Sequence, residues 1–149
     1  MGILMEKAEF QLIDNYISEF SLKVFNKIPE DKEFPINGSL GFGIINIDEK
    51  EMVGQIELRY DIEIKDKEKD IAKISIIMDA LFQGSKKMDI KTFEEMLKLN
   101  GATTLSHLCR AYIHSATAQS GMPPIITPLM NFQDFFENIE KQKNNEKND

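Results

Sequence analysis

"MVGQIELRYDIEI", residues 52–64, decides how the rest of the chain is read. Met52, Ile56, Leu58, Tyr60, Ile62 and Ile64 share one parity with Gly54, while Gln55, Glu57, Arg59, Asp61 and Glu63 occupy the other. Successive side chains of a strand point to opposite faces, so this segment has one dry face and one wet face. Alternation this clean belongs to an antiparallel sheet covered on a single side, because strands buried on both faces lose their polar parity.

On its carboxyl side the segment runs into an entirely charged stretch, residues 65–70, which reads as a solvated turn. A second strand follows over 71–82 through Ala72, Ile74, Ile76, Met78 and Ala80. On its amino side Ile36, Leu40, Phe42 and Ile44 alternate with small or polar residues. The phase then slips to Ile45 and Ile47, as a bulge would make it do. Before a polar stretch at 29–33 lies another alternating segment, 10–24, with Phe10, Leu12, Tyr16, Phe20, Leu22 and Val24 on its even positions. Four strands in succession, with charged turns at 48–51 and 65–70, read as an antiparallel meander.

Past Gly84 the period changes. Thr92 followed by Glu95 has the form of a capping box at a helix start, with Phe93, Met96 and Leu97 on one face. Asn100–Gly101 interrupts that helix, and Leu105, Leu108, Cys109, Tyr112 and Ala116 then recur at helical spacing. A long kinked helix or two helices in tandem are both expected. Gly121 and Pro123 stop it. The next stretch, "GMPPIITPLMNFQDFF" (121–136), holds three prolines and eight large apolar side chains on a backbone that cannot become regular until it is past Asn131. Phe132, Phe135, Phe136 and Ile139 then mark one face of a final helix. Strands followed by helices give an α+β fold with the helices on one face of the sheet. The expected domain spans 1–140, and 141–149 reads as a polar, disordered tail.

The 149 residues are 42% hydrophobic and 29% charged, an ordinary globular composition. A net charge of −7 opposes nucleic-acid binding, which is built largely on Lys and Arg contacts to phosphate, and opposes an anionic membrane surface for the same reason. Cys109 alone cannot form an intrachain disulfide. No signal-peptide pattern or membrane-length apolar run is found, so the sequence places the protein in the cytoplasm, without membrane insertion. His107 and His114 share a helix side, but Cys109 lies about 200° of helical rotation from His107, so no metal site is expected. "GSLGFG" (38–43) lies inside an alternating strand and lacks the helix and lysine of a phosphate loop; its glycines are expected to allow close approach of another backbone or a sharp twist. No hydrolase elbow, paired-cysteine motif or zinc-protease motif occurs, and nothing in the chain requires an enzyme or a cofactor.

The order of elements, together with particular residues, resembles the SecB family of protein-export chaperones. "FQLIDNYISEFSL" (10–22) is similar to the family's first strand. Leu105 and Arg110 match the Leu and Arg of its long helix, Pro123 lies at the matching distance beyond, and Asn131–Phe132 with Phe135 and Phe136 looks like the motif that begins its last helix. The resemblance implies a four-stranded antiparallel sheet carrying a long helix and a C-terminal helix on one face. It also implies a homotetramer, a dimer of dimers, acting as an ATP-independent holdase that delivers unfolded preproteins to SecA. There are departures: Leu129 replaces a second proline, Lys23 stands where the family has Glu, and Ser75 is neutral where it has an acid. The acidic surface that the family uses to dock on the translocase motor is thus only partly present, with Glu19 matching one of its positions on the first strand.

On this reading Met122, Ile125, Ile126, Leu129, Met130, Phe132, Phe135 and Phe136 line an apolar groove for client peptides, while Leu105, Leu108 and Tyr112 face a partner subunit. Ordering each residue of a client backbone costs ~1–2 kcal/mol and each well-buried large side chain returns ~1.5–3, so only segments rich in apolar residues gain. Other readings remain: a SecB-like chaperone dedicated to one partner such as an antitoxin, an adaptor subunit binding one folded protein, or a small-molecule binder with a closed pocket.

Overall fold

The computed structural model describes residues 2, 4–28 and 33–148. Most of the polar stretch at 29–33 and the last residue of the tail lie outside them. Four strands, β1 (Phe10–Val24), β2 (Ile36–Asp48), β3 (Val53–Asp66) and β4 (Lys69–Gly84), form one antiparallel sheet. Two helices cover one of its faces. The first runs from α1 (Ile90–Met96) through a π-helical segment (Leu97–Gly101) into α2 (Ala102–Gln119), and the second is α3 (Phe132–Asn148). This is the expected α+β architecture.

The connectivity departs from a plain meander. The strand order is β1-β4-β3-β2, so only β2, β3 and β4 are joined as neighbours. Lys67, at a φ of 60°, helps β3 turn directly into β4, whereas β1 ends at position 24 and β2 begins at position 36 on the opposite edge of the sheet. A hairpin needs a tight turn, and a connection of that length does not enforce one.

On β3 and β4 every apolar position of the predicted parity is buried, and Ile71 and Asp79 of β4 are buried on the other parity as well. Ile56, Leu58, Tyr60, Ile62 and Ile64, with Ala72, Ile74, Ile76, Met78, Ala80 and Phe82, are buried toward the helices. The bulge foreseen after Ile44 is present, since the register slips between Ile44 and Asn46 and leaves Ile45 exposed. Simple parity fails on β1, because two irregularities, between Leu12 and Asp14 and between Ile17 and Glu19, each reverse the phase. Ile17 therefore faces the helices opposite Met78, and Tyr16 turns to the other face opposite Asp79.

The long helix starts three residues earlier than the capping box suggested. Asp89 is the N-cap, and its Oδ1 accepts from the Thr92 amide at 2.7 Å. The Asn100–Gly101 break is the end of the π segment, so the helix is continuous and locally widened. Phe93, Leu97, Gly101, Leu105, Cys109, Ile113 and Thr117 repeat every four residues and are all buried. That spacing overshoots an α-turn, and the wider π turn takes up part of the excess. Three glycines let the helix press on the sheet: a Cβ on Gly54 would lie 2.6 Å from Leu97 Cδ1, one on Gly84 2.8 Å from Phe93 Cδ2, and one on Gly101 2.8 Å from Ile56 Cδ1. Gly121, at a φ of 83°, ends the helix as expected, and the Met122 amide reaches back to the Thr117 carbonyl at 3.1 Å. Of the stretch read as a polar tail, 141–149, residues 141–148 are helical and exposed.

Candidate functional site: a groove beneath the proline-rich linker

The linker between α2 and α3 crosses the end of the sheet as ordered, irregular chain. It is pinned at its start and its middle. Thr117 Oγ1 donates to the Ile113 carbonyl at 2.8 Å and accepts the Ile125 amide at 3.0 Å, and Arg110 Nε donates to the Thr127 carbonyl at 2.8 Å. At its far end Asn131 caps α3, with Oδ1 accepting from the Asp134 amide at 3.1 Å. Prolines at 123, 124 and 128 restrict the backbone between these points.

Held this way, the linker stands off from β2, the outermost strand on that side, and leaves a furrow. One part, of about 470 Å³, has Ile36, Gly38 and Leu40 of β2 on one wall, Tyr60 and Ile62 of β3 as its floor, and Thr127, Pro128, Met130 and Phe135 on the other wall. A second part, of about 430 Å³, continues past Ile36 to Phe34, Ile64, Pro123, Pro124 and Ile126. Beyond Met130 a polar hollow of about 610 Å³ lies between the π segment and the start of α3, with Asn100, Thr103, Thr104 and Gln133 among its lining. Its amides and hydroxyls distinguish it from the apolar furrow on the other side of the same methionine.

The proposed client-binding residues divide. Ile126 and Leu129 are 66% and 68% exposed, and Met130 is 36% exposed. Phe135 and Phe136 are half-buried, with Phe136 against Phe42 at 5.0 Å between ring centroids. Met122, Ile125 and Phe132 are buried in the subunit's own core, where they anchor the linker and α3. Leu105, assigned to a partner interface, is likewise sealed between helix and sheet. The four-residue stripe that faces the sheet includes it, which leaves nothing to offer a second chain. Leu108 is half-buried, and Tyr112 is 40% exposed with its ring edge-on to Phe20 at 5.0 Å.

Several residues that shape the furrow escaped the sequence reading. Ile36, Leu40, Tyr60 and Ile62 belonged to the sheet parity, and only the route of the linker makes them the lining of a furrow. Thr117 and Thr127 carried no motif at all. Gly38 did carry a signal: a Cβ there would lie 3.3 Å from the Asp61 carbonyl oxygen, in keeping with the close approach expected of its glycine run. The floor is dry enough that burial raises the Tyr60 pKa above its usual value, with its hydroxyl 2.6 Å from Ser106 Oγ. Burial also pushes the Cys109 thiol up to about 12, which keeps it protonated and unreactive. His107 and His114 are exposed on the other side of the same helix.

The opposite face of the sheet is charged. Arg59 Nε donates to Asp61 Oδ2 at 2.7 Å, and that bond, with one from Ser75, holds the Asp61 carboxyl below its usual range. Glu19 is exposed on this face opposite Ile77, and Asp79 is buried there beside Gln55 Nε2 at 3.4 Å. No helix among the described residues is long and apolar enough to cross a membrane.

With this geometry in place, solved structures supply a match. The chain superposes with a TM-score of 0.70 on a SecB-like chaperone from Mycobacterium tuberculosis, Rv1957, whose structure contains a ChAD peptide from the Rv1956 HigA1 antitoxin. The match covers 82% of this chain and 91% of that one at 14% sequence identity. The fold is SecB-like. A protein of unknown function from Streptococcus agalactiae aligns over 80% of this chain and 97% of its own at 13% identity, with a TM-score of 0.45. No protein-family model and no curated protein matches the sequence. At 14% identity the SecB-like shape is carried by parity, caps and glycines, which many sequences satisfy.

Proposed function

We propose that this protein is an ATP-independent chaperone that holds unfolded segments of other polypeptides in the furrow between β2 and the linker. The observation that carries this reading is the furrow itself: a largely apolar open channel at a sheet edge, lined in part by Ile126 and Met130, which the chain leaves exposed though they are large and apolar. Open grooves of this kind capture extended chain through alternate side chains, whereas an enzyme of small molecules needs a closed pocket with convergent polar groups.

Assembly as a dimer of dimers fits the same reading. Leu12, Ile13, Tyr16, Val24 and Phe25 are exposed on or just beyond the outer strand β1, and Tyr112 is exposed on α2. Apolar surface gathered along one edge is characteristic of a partner interface. Several furrows on one particle would bind a long client with avidity.

A dedicated partner is the second reading, favoured by the antitoxin peptide in the M. tuberculosis structure and by the surface on which SecA would dock. That surface keeps Glu19 but has Lys23 and Ser75 at other positions, and the Ser75 hydroxyl is spent on Asp61. The test is suppression of aggregation, without nucleotide, for a panel of unrelated denatured proteins. A general holdase protects most of them at one tetramer per client. Protection of none, with a monodisperse monomer in solution, refutes the proposal.

A further inference from the structure

Thr127 is only 2% exposed, and its Oγ1 is the one buried side-chain polar atom without a hydrogen-bond partner among the described residues. Buried hydroxyls are almost always paired, so an orphan in a native structure calls for a reason. It sits in the wall of the furrow. Its own carbonyl is already held by Arg110, and the nearby Tyr60 hydroxyl is engaged with Ser106 at 2.6 Å. The rest of the lining is mostly apolar, from Ile36, Leu40, Pro128, Met130 and Phe135, with Asn37 and Ser39 at the β2 side and no side chain at Gly38. A notch with mostly greasy walls, space for a large group and one buried, unpaired hydroxyl fits an aromatic ring with a hydroxyl at its tip.

We propose that the furrow prefers tyrosine over phenylalanine in the segments it holds, and that Thr127 is the residue that reads the difference. This rests on the chaperone reading above and names the side chain that the same site selects. A tyrosine hydroxyl gives Thr127 Oγ1 its missing partner, and rotation about the Thr127 χ1 bond can carry the oxygen toward the guest. Phenylalanine fills the same notch and leaves the oxygen orphaned.

The experiment uses the full chain and two blocked nine-residue peptides of leucine and serine that differ only in a central Tyr or Phe, with affinity read by fluorescence anisotropy. The tyrosine peptide should bind about fivefold tighter, the worth of one net hydrogen bond. In Thr127→Val, which keeps the shape and removes an unpaired buried group, the ratio should fall to about one. Thr127→Ser retains the hydroxyl and should retain the preference, and it serves as the second variant should the valine protein fold poorly. Equal affinities in the unaltered protein overturn the inference. An equal loss of both peptides in Thr127→Val also overturns it, because the hydroxyl would then be meeting client backbone. If aggregation is suppressed but no preference is seen, this inference fails and the chaperone reading stands. If neither peptide binds and aggregation proceeds, both fail.

Discussion

Ile126→Ala and Met122→Ala should have opposite consequences, although the two residues lie four apart in one linker. Ile126 is 66% exposed against the furrow, so it has about two-thirds of its burial left to offer a client. Full burial of such a side chain is worth ~1.5–3 kcal/mol, which leaves ~1–2 kcal/mol for binding. At 1.4 kcal/mol per tenfold, client affinity should fall about 5-fold to 30-fold. Stability should stay within about 0.5 kcal/mol, as for other surface changes. Met122 is 7% exposed and packed in the core, so its truncation should instead cost ~2–5 kcal/mol of stability. It should leave the affinity of the folded fraction near its original value. Anisotropy titration with a labelled unfolded peptide and urea denaturation measure both quantities on each variant. If Ile126→Ala destabilises the fold while affinity is unchanged, the furrow is not where clients bind.

Gly54→Val should lower stability by ~1–3 kcal/mol in urea denaturation, because its Cβ would stand 2.6 Å from Leu97 Cδ1 in a filled core; unchanged stability would show that the helix does not press on the sheet there. Thr117→Val should cost ~1–3 kcal/mol by leaving the buried Ile125 amide without its acceptor, and should raise hydrogen exchange through the first half of the linker. Stability should also decline in alkali. Cys109 is raised in the folded state from a usual 9.0 to about 12, so its contribution is complete below pH 9 and is lost as pH rises toward 12. Cys109→Ala should flatten that part of the stability profile, and an unaltered slope would mean that another group sets it.

The sheet was legible in sequence wherever one residue in two met the core. From Ile56 to Phe82 the apolar even positions of β3 and β4 are all buried, with Ile71 and Asp79 the buried departures, because both strands lie inside the sheet and each side chain is forced to one face or the other. Parity misled on β1, where Tyr16 and Ile17 trade faces. A bulge costs little at a sheet edge, and no residue type announces it. Strand order was likewise unreadable, since β1 reaches β4 through long-range pairings such as Phe10 opposite Gly84 and Val24 opposite Ala72, which no local pattern announces. In the site, proline content and hydrophobicity located the linker but could not say which of its side chains turn inward. Met122 and Ile126 look alike in composition. Their difference comes from Thr117, whose hydroxyl fixes Ile125 inward and so sends its neighbour out.

The most direct test of the account is hydrogen–deuterium exchange of the full chain with and without a permanently unfolded polypeptide, in nucleotide-free buffer. The account predicts new protection in residues 36–40 and 126–135, on the two walls of the furrow, with little change in the β3 and β4 amides at the middle of the sheet. Protection confined to other segments, or none at saturating polypeptide, would contradict it.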